Sequence, residues 1–146
     1  MLLQWRFLLF MRLRILYWLG IAACVSLIIS CFLPWGTFDV DGKKEVFTGF
    51  YSYDNYYGRP GKFLVGMATI ALVMMLIPRL WAKQVNLFVC ALTIGYAIYI
   101  YFLYSSCYLA YCPVKLPGIY MMLSSASLML IACIFPEINA GLTRRR

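Results

Sequence analysis

The stretch that decides the fold is Val85–Pro113, VNLFVCALTIGYAIYIYFLYSSCYLAYCP, which contains no charged residue. A charge at mid-bilayer is costly, and about 20 apolar residues cross the hydrocarbon, so such a run reads as a transmembrane helix. Ile15–Leu33, Phe63–Pro78 and Leu116–Pro136 share the property. Together they predict an all-α membrane protein, a four-transmembrane-helix bundle in one domain covering residues 1–146. The expected helices are 13–33, 61–82, 85–111 and 117–136, with an outer loop at 34–60.

Composition agrees. The chain has 146 residues, 64% of them hydrophobic, which lies outside the range of soluble domains. A net charge of +8 invites a nucleic-acid reading, but the placement of the charges argues against it. Arg6, Arg12, Arg14, Arg79, Lys83 and Arg144–Arg146, with Glu137, fall on one side of the expected membrane. Lys43, Lys44, Arg59, Lys62 and Lys115, with Asp39, Asp41, Glu45 and Asp54, fall on the other, so the sides carry +7 and +1. Excess Lys and Arg marks the cytoplasmic face. Both termini are therefore expected inside, in a multi-pass protein of the bacterial inner membrane. Arg59, Lys62, Arg79 and Lys83 are the expected headgroup contacts, and the terminal Arg triplet is read as an orientation signal touching anionic lipid.

Arg12 and Arg14, an apolar run and Ile28-Ile29-Ser30-Cys31 together resemble a lipoprotein signal, with Met11 as an alternative start. Phe32-Leu33-Pro34-Trp35 is a poor leader for a mature lipoprotein, and cleavage would leave three spans. The expectation is a retained first helix.

Pro34 should end that helix, with Trp35 at headgroup level. In the outer loop, alternating residues flank Asp41-Gly42, predicting a β-hairpin over 37–47 with a type I′ turn. A lone hairpin is marginal in water and must rest on something, for which the neighbouring aromatics are the candidates. Pro60-Gly61 suits the start of helix two. Gly58-Arg59-Pro60-Gly61-Lys62 lacks the spacing and the Ser/Thr of a phosphate loop. Helix two is expected to continue past Pro78 to Trp81, with a tight inner turn at Arg79–Gln84. Helix three, at about 1.5 Å per residue, would run about 40 Å against a core of about 30 Å, so its outer end should tilt or project. Ala22, Ser26 and Ser30, Ala91 and Gly95, and Ser124–Ser127 are the expected packing surfaces, since membrane helices associate through small residues and hydroxyl bonds.

Chemistry is sparse. The chain has no histidine, and no acidic residue falls within a charge-free stretch, which removes the commonest base and metal ligand and the usual proton relay. No metal and no cofactor is expected. Asp39, Asp41 and Glu45 read as solvated turn charges, too few for a calcium site. Cys107 and Cys112 are the best candidates, on a face that is oxidising in bacteria. Five residues apart on a regular helix they are too distant, so a bridge requires the helix to break before Pro113, and Cys31 is an alternative partner. A structural staple is favoured over a redox centre. Cys24, Cys90 and Cys133 read as small apolar fillers.

The second candidate is aromatic. Tyr51, Tyr53, Tyr56 and Tyr57 crowd the outer loop, and Tyr101, Tyr104, Tyr108 and Tyr111 share one helix face. With Trp35 they form either a surface for a partner or ligand, or a belt that packs the hairpin onto the helices; the belt is favoured.

Leu33-Pro34-Trp35, Thr48-Gly49-Phe50, Tyr57–Lys62, Trp81-Ala82-Lys83 and Ser106–Pro113 resemble blocks of small four-span bacterial inner-membrane proteins of unassigned function, over nearly the whole chain from Met11. The resemblance implies no activity. A hairpin after helix one is also similar to the claudin plan, but the claudin Gly-Leu-Trp and paired loop cysteines are missing. The leading expectation is a non-enzymatic accessory or scaffold, presenting an aromatic cap to another membrane or periplasmic protein; a homo-oligomer is left open, and no nucleic acid is expected. The alternatives are a thiol-redox protein using Cys107 and Cys112, and a lipid or quinone binder using the tyrosine stripe.

Overall fold

The computed structural model describes residues 2–40, 43–51, 58–107 and 112–134, with side chains from Ile15 onward except Phe38, Val40 and Lys43. Among the described residues the chain is mostly helical, with four helices and a small three-stranded sheet. The helices are α1 (Leu2–Ser30), α2 (Pro60–Leu76), α3 (Leu80–Ser105) and α4 (Pro117–Ile134). Each packs on its neighbours in the chain, and α4 closes back onto α1. Two of them, α3 and α4, are long and apolar enough to cross a membrane; Ile15–Ser30 and Pro60–Leu76 are shorter apolar segments.

The boundaries that differ from the sequence expectation have local causes. α1 begins well before residue 13, because Leu2–Arg14 contains no proline or glycine to prevent helix; absence of charge delimits the apolar segment, not the helix. It ends at Ser30 rather than Leu33, where Cys31, Phe32 and Leu33 donate their N–H groups to the carbonyls of Ile28, Ile29 and Ser30 at 3.2, 3.0 and 3.3 Å. These tightened i→i−3 bonds close the last turn ahead of Pro34. α2 opens on Pro60 and stops at Leu76, not at Trp81. Ile77, the residue immediately after Leu76 and directly before Pro78, is extended at φ −86°, ψ 113°. Clash with the proline ring disfavours the helical region for that residue. The turn is therefore Ile77–Arg79 rather than Arg79–Gln84, and Trp81 lies in the first turn of α3.

α3 begins five residues before Val85 and ends at Ser105 rather than Tyr111. Ser106 is extended at ψ 131° and donates its N–H to Phe102 O at 3.0 Å. The bridge between Cys107 and Cys112 accounts for the stop, since it holds their Cα atoms 4.3 Å apart. A helix of radius about 2.3 Å and rise about 1.5 Å would separate them by about 9 Å.

The hairpin forms where expected and is slightly longer. β1 (Pro34–Val40) pairs antiparallel with β2 (Lys43–Thr48), placing Thr37 opposite Val46 and Asp39 opposite Lys44, with an irregularity between Pro34 and Gly36. The Asp41-Gly42 turn lies outside the described residues. β3 (Val114–Lys115), which no pattern in the sequence marks, adds to the other edge of β1 through Gly36–Lys115 and Thr37–Val114 pairs. The sheet order is β2-β1-β3.

The core between the helices consists of small side chains, Ala23, Ala68, Ala71, Ala97 and Ala126, filled out by Leu27, Leu64, Ile100, Ile119, Met122 and Met129. The expected packing stripe on α3 is out of phase, and that on α1 fails at Ala22 but not at Ser26 and Ser30. Ala22, Ala91 and Gly95 are exposed; α1 buries Ala23, Cys24, Leu27 and Ser30, and α3 buries Asn86, Cys90, Thr93, Ala97 and Ile100. A helix that is apolar all round has no polar face to fix its rotation, so sequence cannot supply the phase. Ser26 and Ser125 do meet, their hydroxyl oxygens hydrogen-bonded at 2.9 Å.

The sheet docks where backbones approach closely. Gly49 donates its N–H to Cys31 O at 3.0 Å and accepts from the Gly61 N–H at 2.6 Å. A Cβ on Gly61 would sit 2.6 Å from Gly49 O, whereas one on Gly95 meets nothing within 4 Å. Gly61→Ala should therefore cost about 1–3 kcal/mol through forced backbone displacement. Gly95→Ala should be neutral or stabilising by about 0.5–1 kcal/mol. Thermal unfolding of the two variants in detergent checks the contrast.

Candidate functional site

The sheet end of the molecule carries the candidate residues, and the structure sorts them into a core and a surface. Trp35 is 1% exposed and Tyr104 4% exposed, so neither lies at a headgroup surface. The Trp35 indole Nε1–H donates to Ser30 O at 2.7 Å. Its ring meets Tyr104 edge-on at 5.6 Å between centroids, and Phe47 meets Tyr104 in the same manner at 6.2 Å. Edge-to-face pairs of this kind contribute about 0.5–1.5 kcal/mol each beyond area burial. The hairpin thus rests on the helices through one aromatic from β1, one from β2 and one from α3.

The remaining residues face outward. Phe32 and Phe50 stack at 4.8 Å with Phe32 65% exposed, and Tyr51, Val46 and Val114 are also exposed. The chain folds tightly here because Thr48 Oγ1 accepts from the backbone N–H of Tyr51 at 3.1 Å while Thr48 N–H donates to Tyr51 O at 3.0 Å. Tyr101 is half-buried, 6.2 Å from the ring of Tyr120, with Lys115 Nζ 5.1 Å from its ring centroid. A cation over an aromatic face is attracted by the ring quadrupole. Tyr53, Tyr56, Tyr57, Tyr108 and Tyr111 lie outside the described residues. Tyr101 and Tyr104 share α3, which ends at Ser105, but divide between surface and core.

Cys107 and Cys112 form a disulfide, and both residues are exposed. Cys31, the alternative partner, is a buried free thiol. The bridge closes the short segment between α3 and β3, and so fixes where β3 can reach β1. Arg59 and Lys62 stand at the sheet end, Arg79 and Lys83 at the opposite end. Among the described residues no group of three or more Cys, Asp or Glu could hold a metal ion.

Sequence reasoning missed two features. Lys115 and Tyr120 join Tyr101 only because β3 and α4 fold back beside α3. Asn86, Cys90 and Cys133 also form a polar cluster between α3 and α4. The spacing of four between Asn86 and Cys90 was visible in the sequence, but Cys133 lies 43 residues from Cys90 with nothing to mark it as their neighbour.

No family model, no curated protein and no solved structure matches the chain.

Replacing Cys107 and Cys112 with serine should lower stability by about 2 kcal/mol, the chain-entropy effect of a loop this short. Equilibrium unfolding with and without reductant checks it: reductant should shift the wild-type curve toward that of the double variant and leave the variant unmoved.

Proposed function

We propose that the chain is a four-helix bundle crossing the bacterial inner membrane four times, with both termini cytoplasmic and the sheet outside. Its role is that of a non-enzymatic accessory or scaffold, presenting the sheet end to another membrane or periplasmic protein. Three observations support the membrane reading. Large apolar side chains are exposed on every helix, including Trp18, Phe63, Val73, Phe88, Phe102 and Ile131. Soluble monomers rarely expose apolar surface so continuously. The exposed Trp81 and Phe102 lie 21 positions apart on α3. That places them about 31 Å apart at about 1.5 Å per residue, close to a hydrocarbon thickness of about 30 Å. Tryptophan and tyrosine gather at both membrane interfaces, and Tyr101 adjoins Phe102 at that end of α3. The charge balance of +7 against +1 then orients the protein.

The scaffold reading is carried by one observation. The sheet buries Trp35, Phe47 and Tyr104 and still leaves Phe32, Val46, Tyr51 and Val114 outward. Exposed apolar side chains gathered at one end of a molecule mark an interaction surface. The chain lacks histidine, the commonest general base. A photo-crosslinking residue at Tyr51 in native membranes should capture a discrete protein, and Val46→Lys should abolish that adduct. Recovery of monomer alone would sink the scaffold role.

The exposed disulfide supports a second reading, a thiol-redox protein exchanging with dithiols outside the membrane. Intact cells treated with a membrane-impermeant maleimide separate the two. As a structural staple, Cys107 and Cys112 label only after added reductant, and the double serine variant keeps its partner. As a redox centre, a fraction labels without reductant and the variant loses function.

A further inference from the structure

The sulfur atoms of Cys90 on α3 and Cys133 on α4 lie 2.9 Å apart. Asn86 Nδ2 donates to Cys133 Sγ at 3.2 Å, and Cys90 Sγ lies 3.8 Å from Asn86 Oδ1. One assignment of protons satisfies all three groups: the amide gives to Cys133, the Cys133 thiol to Cys90, and the Cys90 thiol back to the Asn86 carbonyl oxygen. A buried amide is costly in an apolar surround unless bonded, so Asn86 gathers both thiols to one point. Cys90 and Asn86 are buried and Cys133 is partly exposed at the flank of α4, near its end at Ile134. Cys24 is also a buried thiol, yet no hydrogen bond joins it to this trio among those described.

Two free thiols at this distance differ from apolar fillers in what they can do. A disulfide has an S–S length of about 2.05 Å, so closure requires the sulfurs to approach by about 0.9 Å. We propose that Cys90 and Cys133 form a redox modification site, a dithiol that a lipid-soluble quinone oxidises to a disulfide tying α3 to α4. The balance is complete. Two S–H bonds break and one S–S bond forms; the two electrons and two protons pass to the quinone oxygens, and the quinone leaves as its quinol. A quinone suits the site because it is a neutral two-electron, two-proton acceptor that dissolves in hydrocarbon. A charged, water-soluble disulfide partitions poorly among apolar side chains and should reach the pair more slowly than a quinone. The site is separate from Cys107–Cys112, which is already closed at the sheet end. The choice of oxidant rests on the transmembrane reading above; the proximity of the two sulfurs does not.

The test uses the full-length chain carrying Cys107→Ser and Cys112→Ser, which leaves Cys24, Cys31, Cys90 and Cys133 as its four thiols, in lipid nanodiscs and purified under reductant that is then removed. One sample receives decylubiquinone, another oxidised glutathione. Free thiols are alkylated after denaturation, and peptides are identified by mass spectrometry. The quinone sample should lose two alkylatable thiols, at Cys90 and Cys133, yield their linked peptide, and reduce one quinone per chain; Cys24 and Cys31 should alkylate in full. Cys133→Ser should abolish both the linked peptide and the quinone reduction. If all four thiols alkylate after quinone treatment, the proposal is overturned while the transmembrane reading stands. If oxidised glutathione closes the pair as readily as the quinone, the pair is reached from water and the assignment of a quinone as its oxidant is overturned.

Discussion

The structure depends on the seating of Trp35. Its indole N–H bonds the carbonyl at the end of α1, its ring meets Tyr104 of α3, and its backbone carbonyl accepts the Leu116 N–H just ahead of α4 at 3.0 Å. One residue of β1 therefore joins three helices. The space around it is small. A Cβ on Gly49 would lie 2.9 Å from the indole ring, and one on Gly118 would collide with Pro34 O. A two-stranded hairpin is marginal alone. Here the residue whose indole anchors the hairpin also accepts, through its backbone carbonyl, the Leu116 N–H next to β3, so docking and sheet completion meet at Trp35.

The helices below follow a different physics. Their contacts are made by alanines and by hydroxyls that bond their own backbone, as when Thr93 Oγ1–H donates to Val89 O and Ser125 Oγ–H to Met121 O, both at 2.7 Å. Hydroxyls satisfied in this way can be buried without a distant partner, and small residues let helices approach closely. The outer faces are as apolar as the inner ones, which suits a lipid solvent and leaves little scope for chemistry among the helices. The exception is the Asn86–Cys90–Cys133 trio.

Much of the architecture was legible in the sequence, and the failures have specific causes. Helix existence followed from the absence of charge, and the hairpin from alternation around Asp41-Gly42. The Pro78 boundary was misjudged by letting an apolar run outweigh proline's effect on Ile77. The end of α3 was misjudged because the Cys107–Cys112 bridge and a continuous tyrosine stripe are mutually exclusive, and the bridge prevails. Helix rotation was illegible at Ala91 and Gly95, since uniformly apolar sequence carries no phase. At the candidate site, the sequence identified Tyr51 and the two bridged cysteines as surface features. It could not foresee that Trp35 and Tyr104 would be core, because an amphipathic ring serves either place and only the fold decides between them.

If the sheet end is a rigid platform for a partner, its rigidity must come from Trp35. Hydrogen–deuterium exchange on the wild type and on Trp35→Ala tests this most directly. Loss of the indole should expose the backbone amides of β1 and β2 to fast exchange while the middle of α3 keeps its protection. Trp35→Phe, which retains a ring but no N–H, should fall between the two. Unchanged protection of both strands in Trp35→Ala would contradict the account, because the hairpin would then be held by something other than this residue.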